Sequence, residues 1–185
     1  MGRATLLKTN EVSEANVTPG DCRFSSGGAC RLVTYGLGSD VVITAHAPSV
    51  GLSALLRFVY PDSRADPVQA KNNPWLFADT GVSLLLSTLR KCGTTNGDIQ
   101  IQAIGAANVA GEDASEVNGR SNDLALRKAL WAEGVLLKSE DLGGDGLRAV
   151  WFDPASDRLM VRSDTRRTKV VAETAEEPAL RQLAS

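Results

Sequence analysis

A glycine-rich segment that ends in a carboxylate is the part of this sequence best placed to do chemistry. Residues 34–40 read Thr-Tyr-Gly-Leu-Gly-Ser-Asp and separate two short runs rich in β-branched residues, which predicts a turn between strands. Asp40 closes this turn, and Arg57 follows 17 positions later within another apolar run. A carboxylate at the end of a turn can serve as a general base or a metal ligand, whereas a guanidinium stays protonated and cannot accept a proton.

Cysteine and histidine, the other residues with nucleophilic or metal-binding chemistry, are few. The chain holds Cys22, Cys30 and Cys92, an odd number without CxxC spacing, and one histidine, His46. This set predicts neither a disulfide framework nor a zinc site, and we expect no metal and no cofactor. If one strand joins Asp40 to His46, the histidine lies about 20 Å away, out of reach of the turn. Cys30 and Cys92 lie outside the turn and are expected to be inert thiols.

Short β-branched runs and two helical patterns supply the elements that must position these residues. Strands are predicted where apolar or alternating runs lie between turn residues, at 31–35, 41–44, 52–60, 99–104, 135–137, 147–152 and 158–162. The strand at 52–60 is expected to form a hairpin, because proline bounds that run on both sides. Apolar residues at helical spacing predict a buried helix that begins at Pro74 and ends before Gly93, and a second helix at 122–133.

Composition and charge describe an ordinary globular protein. Hydrophobic residues make up 43% of the chain and charged residues 23%, with a net charge of −2, so neither nucleic acid nor a membrane surface is a predicted partner. The absence of a signal-peptide-like or membrane-spanning stretch predicts a cytoplasmic protein without membrane insertion. We place one domain at 29–164, between a polar lead-in at 1–28 and a polar tail at 165–185 that is either partly disordered or a short helix. Three tryptophans are expected in or near the core: Trp75, Trp131 and Trp151.

Several separated segments carry a resemblance that covers roughly residues 32–162. They are residues 34–40, 56–63 and 141–144, together with Gly119, Asn122 and Arg148. In these positions the sequence resembles the CheD family of chemoreceptor glutamine deamidases. The resemblance implies an α/β fold in layers, with a mixed or antiparallel β-sandwich-like core and helices packed outside.

Asp40 and Arg57 occupy the two positions at which the CheD family has its catalytic cysteine and histidine. By resemblance, the family's thiolate attacks the side-chain amide of a glutamine, and the imidazole acts as its base. A carboxylate is a far weaker nucleophile toward an unactivated amide, and a guanidinium cannot act as a base. We therefore expect no catalytic residue at these positions. Thr34, which the family links to its catalytic centre, is retained, and we assign it a structural role.

The two replacements together keep the polarity of a thiolate beside an imidazolium. We hypothesise that an ion pair between Asp40 and Arg57 replaces the catalytic dyad and preserves the local fold without the nucleophile. The alternative is that the two residues diverged independently and both reach solvent. A distance between their charged groups well beyond hydrogen-bonding range would exclude the ion pair.

Three functions stay open on the sequence alone. The first, which we favour, is a catalytically inactive CheD-like protein that binds the cytoplasmic domain of a chemoreceptor or a CheC-type phosphatase, the partners that the resemblance implies. The second is an active protein-glutamine deamidase or another hydrolase with a different mechanism in the same pocket, with Asp40 as its base or metal ligand and polar help from Ser39, Thr34 or Asp62. The third is an interaction module whose polar end segments carry the function.

Overall fold

The computed structural model describes residues 13–108, 119–164 and 169–172 of the chain. Within these residues the strands are β1 (Glu14–Asn16), β2 (Asp21–Ser26), β3 (Arg31–Leu37), β4 (Val41–Ala47), β5 (Leu52–Phe58), β6 (Gln100–Gly105), β7 (Leu137–Leu142), β8 (Arg148–Asp153), β9 (Arg158–Ser163) and β10 (Lys169–Ala172). The α-helices are α1 (Pro67–Asn72), α2 (Ala78–Lys91) and α3 (Gly119–Glu133). Short 3-10 helices lie at Pro48–Val50, Ser63–Ala65, Pro74–Leu76 and Asn96–Asp98.

The strands form two sheets. The outer sheet has the order β1-β3-β8-β9-β10, and the central sheet has the order β2-β5-β4-β6-β7. Each sheet is mixed, because β1 runs parallel to β3 and β6 runs parallel to β7 while the other neighbours are antiparallel. The layered α/β architecture with a sandwich-like core, which the resemblance implied, is therefore confirmed.

The central sheet is buried on both faces, because it lies between the outer sheet and the helices. One apolar cluster fills the space between the sheets and includes Leu55 and Phe152. A second cluster joins the other face of the central sheet to α2 and α3 and includes Leu56 and Leu126. Residues 41–45 of β4 are all 0% exposed, which is why this strand reads as a continuous apolar run rather than an alternating one.

Helix α2 packs one apolar stripe against the central sheet. Its buried residues Val82, Leu85, Leu86 and Leu89 recur at spacings of three and four, which places them on one face of the helix. Asp79 lies in its first turn, and Arg90 and Lys91 lie in its last, as the helix dipole favours. Burial of each leucine side chain contributes roughly 1.5–3 kcal/mol, so this stripe is the main attachment of the helical layer.

Most elements predicted from the sequence are confirmed, with boundaries shifted by a few residues. The hairpin formed by β4 and β5 has the expected antiparallel pairing, and the two helical patterns correspond to α2 and α3. The strand predicted at 135–137 is instead β7, which begins at Leu137.

Strands also lie in the two end segments, in the parts of them that the structure describes. The polar lead-in at 1–28 contains β1 and β2, which are edge strands of the outer and central sheets. In the tail at 165–185, residues 169–172 form β10, which pairs with β9. Residues 1–12, 165–168 and 173–185 lie outside the described part of the chain. Edge strands pair on one side only, so their sequences can stay polar and give little apolar signal.

One of the three tryptophans contradicts the prediction of a core position. Trp75 is half-buried against the cluster under the helices, and Trp151 is half-buried with its ring centroid 5.7 Å from that of Tyr35. Trp131 is 81% exposed, because α3 turns the neighbouring Leu130 toward the core instead. None of the helices in the described residues is long and apolar enough to cross a membrane.

Candidate functional site

The glycine-rich turn passes from one sheet to the other. It leaves β3 of the outer sheet and enters β4 of the central sheet, so the residues at its two ends belong to different layers. In the hairpin that follows, Val42 of β4 pairs with Arg57 of β5. This register explains the spacing of 17 residues, because it returns Arg57 to the end of the turn where Asp40 lies.

Asp40 and Arg57 form a buried ion pair. The Arg57 Nε donates to Asp40 Oδ2 at 2.7 Å, and Arg57 Nη2 lies 2.7 Å from the same oxygen. The side chain of Arg57 is 6% exposed and that of Asp40 is 13% exposed. The hypothesis of an ion pair at this position is therefore confirmed, and the alternative in which both residues reach solvent is wrong.

The remaining donors of Arg57 bind the outer sheet. Nη1 donates to Thr34 Oγ1 and to the Tyr35 carbonyl, both at 2.8 Å, and Nη2 donates to the Gly36 carbonyl at 3.0 Å. Gly36 has a φ of 63°, a conformation that glycine adopts without strain. Since Arg57 belongs to the central sheet, its guanidinium ties the two sheets together at this edge.

Both oxygens of Asp40 accept hydrogen bonds, which limits what the carboxylate can do. Oδ2 binds the guanidinium, and Oδ1 accepts from the Gly38 amide at 3.0 Å. Thr34 is 0% exposed, and its hydroxyl donates to the Val17 carbonyl at 2.6 Å while it accepts from Arg57. A hydroxyl so engaged has no proton left to donate to a substrate, and both oxygens of the carboxylate are held by donors of this chain.

Asn122 of α3 closes the site from the helical layer. It is 0% exposed, and its Nδ2 donates to the Ser39 carbonyl at 3.0 Å and to the Val59 carbonyl at 2.8 Å. In the sequence this asparagine is distinguished only as a position that matches the CheD family. The signal that could have identified it is a polar residue four positions before Leu126 and eight before Leu130, on the buried face of α3.

Two glycines allow neighbouring backbone segments to approach closely around Asp40. A Cβ on Gly105, where φ is +120°, would lie 2.2 Å from the Asp40 carbonyl oxygen, and a Cβ on Gly119 would lie 2.2 Å from the Ala106 carbonyl oxygen. The Ala106 amide donates to the Asp40 carbonyl at 2.9 Å. Only a residue without a side chain fits such contacts, so both glycines are required to bring α3 and β6 against the turn.

A second buried arginine lies on the other side of Gly105. Arg148 is 4% exposed, its Nη1 donates to the Gly105 carbonyl at 3.4 Å, and its Nη2 donates to the Gly143 carbonyl. Its Nε lies 3.9 Å from Asp141 Oδ2. These contacts show that the Asp-Leu-Gly-Gly step and the later arginine, which carried part of the resemblance, act together as a support for the site.

The thiols and the single histidine lie away from the ion pair. Burial raises the pKa of Cys22 to about 12, with a smaller contribution from Asp21, so this thiol stays protonated. Cys30 is half-buried beside the cluster between the sheets, and Cys92 is exposed at the end of α2. In the described residues, none of the hydrogen bonds of Asp40 or Arg57 involves a cysteine.

His46 lies at the opposite end of β4, in a polar cleft of its own. Its Nδ1 is 2.7 Å from Ser53 Oγ, and the cleft is also lined by Asp157, which accepts from Lys138 Nζ at 3.0 Å. Burial lowers the pKa of His46, although the Asp157 carboxylate acts in the other direction. The expectation that His46 cannot reach Asp40 is confirmed, because Asp40 directly precedes β4 and His46 lies near the other end of that strand.

Comparison with known proteins identifies the family. Residues 59–163 match the model of the family described as CheD chemotactic sensory transduction. A probable chemoreceptor glutamine deamidase CheD of Solibacter usitatus (strain Ellin6076) is 33% identical over 151 residues, which cover 82% of this chain and 89% of the relative. The chain belongs to the CheD family. A match of that extent necessarily includes the positions of Asp40 and Arg57.

Other CheD relatives match to a similar extent. A probable chemoreceptor glutamine deamidase CheD 1 of Syntrophus aciditrophicus (strain SB) is 31% identical over 147 residues, which cover 80% of this chain and 92% of the relative. One from Pyrococcus horikoshii, a probable chemoreceptor glutamine deamidase CheD, is 30% identical over 156 residues, with 83% and 94% covered. The CheD domain therefore occupies most of this chain, and the buried ion pair lies within it.

Proposed function

We propose that this CheD-family protein binds chemoreceptors without deamidating them. The observation that carries the proposal is the buried ion pair between Asp40 and Arg57, at the positions that by resemblance correspond to the family's cysteine and histidine. Amide hydrolysis through a covalent intermediate needs a nucleophile and a base within hydrogen-bonding reach. Here one position holds a guanidinium, which cannot accept a proton, and the other holds a carboxylate whose two oxygens are already bound.

The binding half of the proposal is supported by what the ion pair preserves. Arg57 holds the glycine turn through three acceptors on β3, and Asn122 holds the adjoining Ser39 from α3. These contacts keep the backbone of the turn in a defined shape although the nucleophile is missing. The partner is the cytoplasmic domain of a chemoreceptor, as the names of the relatives suggest, or a CheC-type phosphatase, and either partner implies a cytoplasmic location.

No observation favours a hydrolase with another mechanism in the same pocket. Such an enzyme would need convergent polar groups that face a cavity. Neither the cleft around His46 nor the groove beside Lys128, between α2 and α3, is lined by Asp40 or Arg57.

The test combines deamidation and binding on the same partner. The native protein is incubated with the cytoplasmic domain of a chemoreceptor from its own organism, and glutamine deamidation is followed by mass spectrometry. Parallel samples contain the double variant Asp40→Cys, Arg57→His and a matched control, Asp40→Ala, Arg57→His, which gains the imidazole but no thiol. Binding of each protein is measured by calorimetry. A CheC-type phosphatase is titrated in the same way.

We expect the native protein to bind and to leave every glutamine intact. Activity of the cysteine-containing variant alone would show that the surrounding site still accepts a receptor glutamine. Deamidation by the native protein would contradict the proposal, and so would failure to bind either partner.

A further inference from the structure

The cleft around His46 contains a buried carboxylate with an unpartnered oxygen. This cleft lies at the end of β4 away from Asp40 and has a volume of about 1200 Å³, which is room for a small organic molecule. Asp157, in the turn between β8 and β9, lines the cleft with a side chain that is 5% exposed. Its Oδ2 lies 3.0 Å from Lys138 Nζ, whereas its Oδ1 has no hydrogen-bond partner among the described residues.

The backbone of Asp157 is also held in an uncommon conformation. Its φ of 49° lies in the left-handed region, which residues other than glycine adopt infrequently. Strained residues of this kind cluster at ligand-binding positions, and a buried acceptor without a partner is rare in a folded protein. Both observations indicate that Asp157 Oδ1 accepts a hydrogen bond from a bound molecule.

His46 and Ser53 supply a hydrogen-bond donor to the same cleft. Both residues line it, and His46 Nδ1 lies 2.7 Å from Ser53 Oγ. Burial lowers the pKa of His46, so the imidazole is neutral at neutral pH and one of its nitrogens carries a hydrogen. If that nitrogen is Nε2, the serine hydroxyl donates to Nδ1 and the Nε2–H group remains; if it is Nδ1, the serine hydroxyl hydrogen remains. Either tautomer leaves one donor beyond the hydrogen bond within the pair.

The charges around the cleft balance one another. Its charged lining residues are Asp153, Asp157 and Arg158, and Lys138 adds a second cation through its ion pair with Asp157. Two carboxylates and two cations leave no net charge to select an anion or a cation. A metal ion is disfavoured as well, because the Lys138 ammonium already lies beside the buried carboxylate. The cleft therefore favours an uncharged ligand that offers both a donor and an acceptor.

We propose that the His46 cleft binds a small molecule through an uncharged carboxamide group. A carboxamide carries an N–H donor and a carbonyl acceptor side by side. Its N–H group donates to Asp157 Oδ1, and its carbonyl accepts from the pair of His46 and Ser53. Pro48 and Ala155 also line the cleft and contact the apolar body that carries the amide. This binding does not involve the chemoreceptor and is independent of the proposed function.

The test uses matched aromatic probes on the full chain at about pH 8, where an imidazole of lowered pKa is neutral. Benzamide carries the carboxamide, benzoate and benzamidinium are its anionic and cationic counterparts, and benzyl alcohol carries a hydroxyl instead. Binding is followed by NMR through the imidazole signals of His46, which is the single histidine of the chain and lines the cleft. The signals of one residue therefore report binding in the cleft.

Two variants and a matched control assign the hydrogen bonds. Asp157→Gly removes the unpartnered carboxylate, and glycine adopts a positive φ without strain. Ser53→Ala removes the partner of the imidazole. The control, Asp153→Asn, removes a charge from the same cleft, while its amide oxygen can still accept from the Ala155 amide as Asp153 Oδ1 does.

We expect benzamide to shift the His46 signals until the site is saturated, and the other three probes to bind at least about tenfold more weakly. Asp157→Gly should weaken benzamide binding by about tenfold, because a hydrogen bond to a charged acceptor is lost. Ser53→Ala should weaken it by a smaller factor, about threefold, because the imidazole keeps an N–H donor. Asp153→Asn should bind benzamide as the native chain does.

Three results would overturn the inference. Absence of a saturable shift with benzamide would mean that water alone occupies the cleft. Equal binding of benzoate, benzamidinium or benzyl alcohol would exclude the carboxamide as the preferred group, and this comparison needs no variant. Equal binding of benzamide by the native chain and Asp157→Gly, or an equal loss in Asp153→Asn, would show that the unpartnered oxygen is not the acceptor.

Discussion

Replacement of Asp40 by alanine is the perturbation that tests the ion pair most directly. The substitution leaves the guanidinium of Arg57, whose side chain is 6% exposed, without its carboxylate. Three neutral oxygens on Thr34, Tyr35 and Gly36 still accept from it, but they do not neutralise its charge. Removal of one partner from a buried ion pair typically costs about 3–5 kcal/mol, and the remaining acceptors favour the lower end of that range.

The expected loss for Asp40→Ala is therefore about 3 kcal/mol in the free energy of unfolding. For a chain of this length, that corresponds to a fall in melting temperature of about 6–12 °C. Asp40→Asn should reduce the free energy of unfolding by less, because its amide oxygen can still accept one of the hydrogen bonds. Arg23→Ala is a suitable control, since it breaks an ion pair in which the arginine side chain is 58% exposed, and such pairs contribute about 1 kcal/mol or less.

Urea denaturation followed by circular dichroism measures these losses, and a double-mutant cycle isolates the pair. The second single variant is Arg57→Met, and the double variant combines it with Asp40→Ala. We expect the double variant to be more stable than the sum of the single losses predicts, by about 2 kcal/mol. Additive losses, or an Asp40→Ala loss no larger than that of Arg23→Ala, would refute the conclusion that the ion pair holds this edge of the domain.

Three further predictions address packing, thiol reactivity and pH. Gly105→Ala should lower the free energy of unfolding by at least about 3 kcal/mol, because its Cβ would lie 2.2 Å from a carbonyl oxygen. Gly51→Ala is the control, since no atom lies within 4 Å of its Cβ, and it should cost about 1–2 kcal/mol. Thermal unfolding measures both losses. Burial raises the pKa of Cys22 to about 12, so about one Cys22 thiol in ten thousand is ionised at pH 8. Iodoacetamide should therefore label the exposed Cys92 long before Cys22, which peptide mass spectrometry measures. Equal labelling rates at the two cysteines would contradict the burial of Cys22. Burial lowers the pKa of His46, so the unfolded chain binds a proton on this imidazole more readily than the folded chain does. The free energy of unfolding should therefore fall as the pH drops below about 6.5. The urea midpoint should fall less with pH in His46→Asn than in the native protein, and an identical fall in both would show that His46 does not cause it.

The position of the site was predicted from the resemblance to the CheD family, and the hairpin that joins its two halves was predicted from local signals. Prolines bound the run that becomes β5 and fix where it begins and ends, so the register that returns Arg57 to the turn follows from local signals. The contacts of Arg57 with β3 could not be predicted in the same way. They depend on the turn crossing between two sheets, and sheet assignment is decided by long-range packing that no local pattern records.

The errors in the sequence analysis have physical causes as well. β2 reads Asp-Cys-Arg-Phe-Ser-Ser and pairs with β5 through its backbone, so hydrogen bonds hold it although few of its side chains are apolar. Trp131 was assigned to the core by its size. On a helix, however, Leu126 and Leu130 fix the buried face, and Trp131 lies about 100° away from Leu130. A helical projection of α3 that considers position rather than side-chain size would have placed Trp131 on the exposed face of the helix.

Because each residue of the buried ion pair depends on the other, the pair also constrains how this sequence can evolve. A cysteine at position 40 beside Arg57 would leave a buried cation without its carboxylate, and a histidine at position 57 beside Asp40 would lose the donors that hold the outer sheet. Either single step therefore passes through a less stable protein before any thiol–imidazole chemistry is available. The ion pair therefore disfavours a return to the thiol–imidazole pair, because either order of substitution passes through a destabilised single variant.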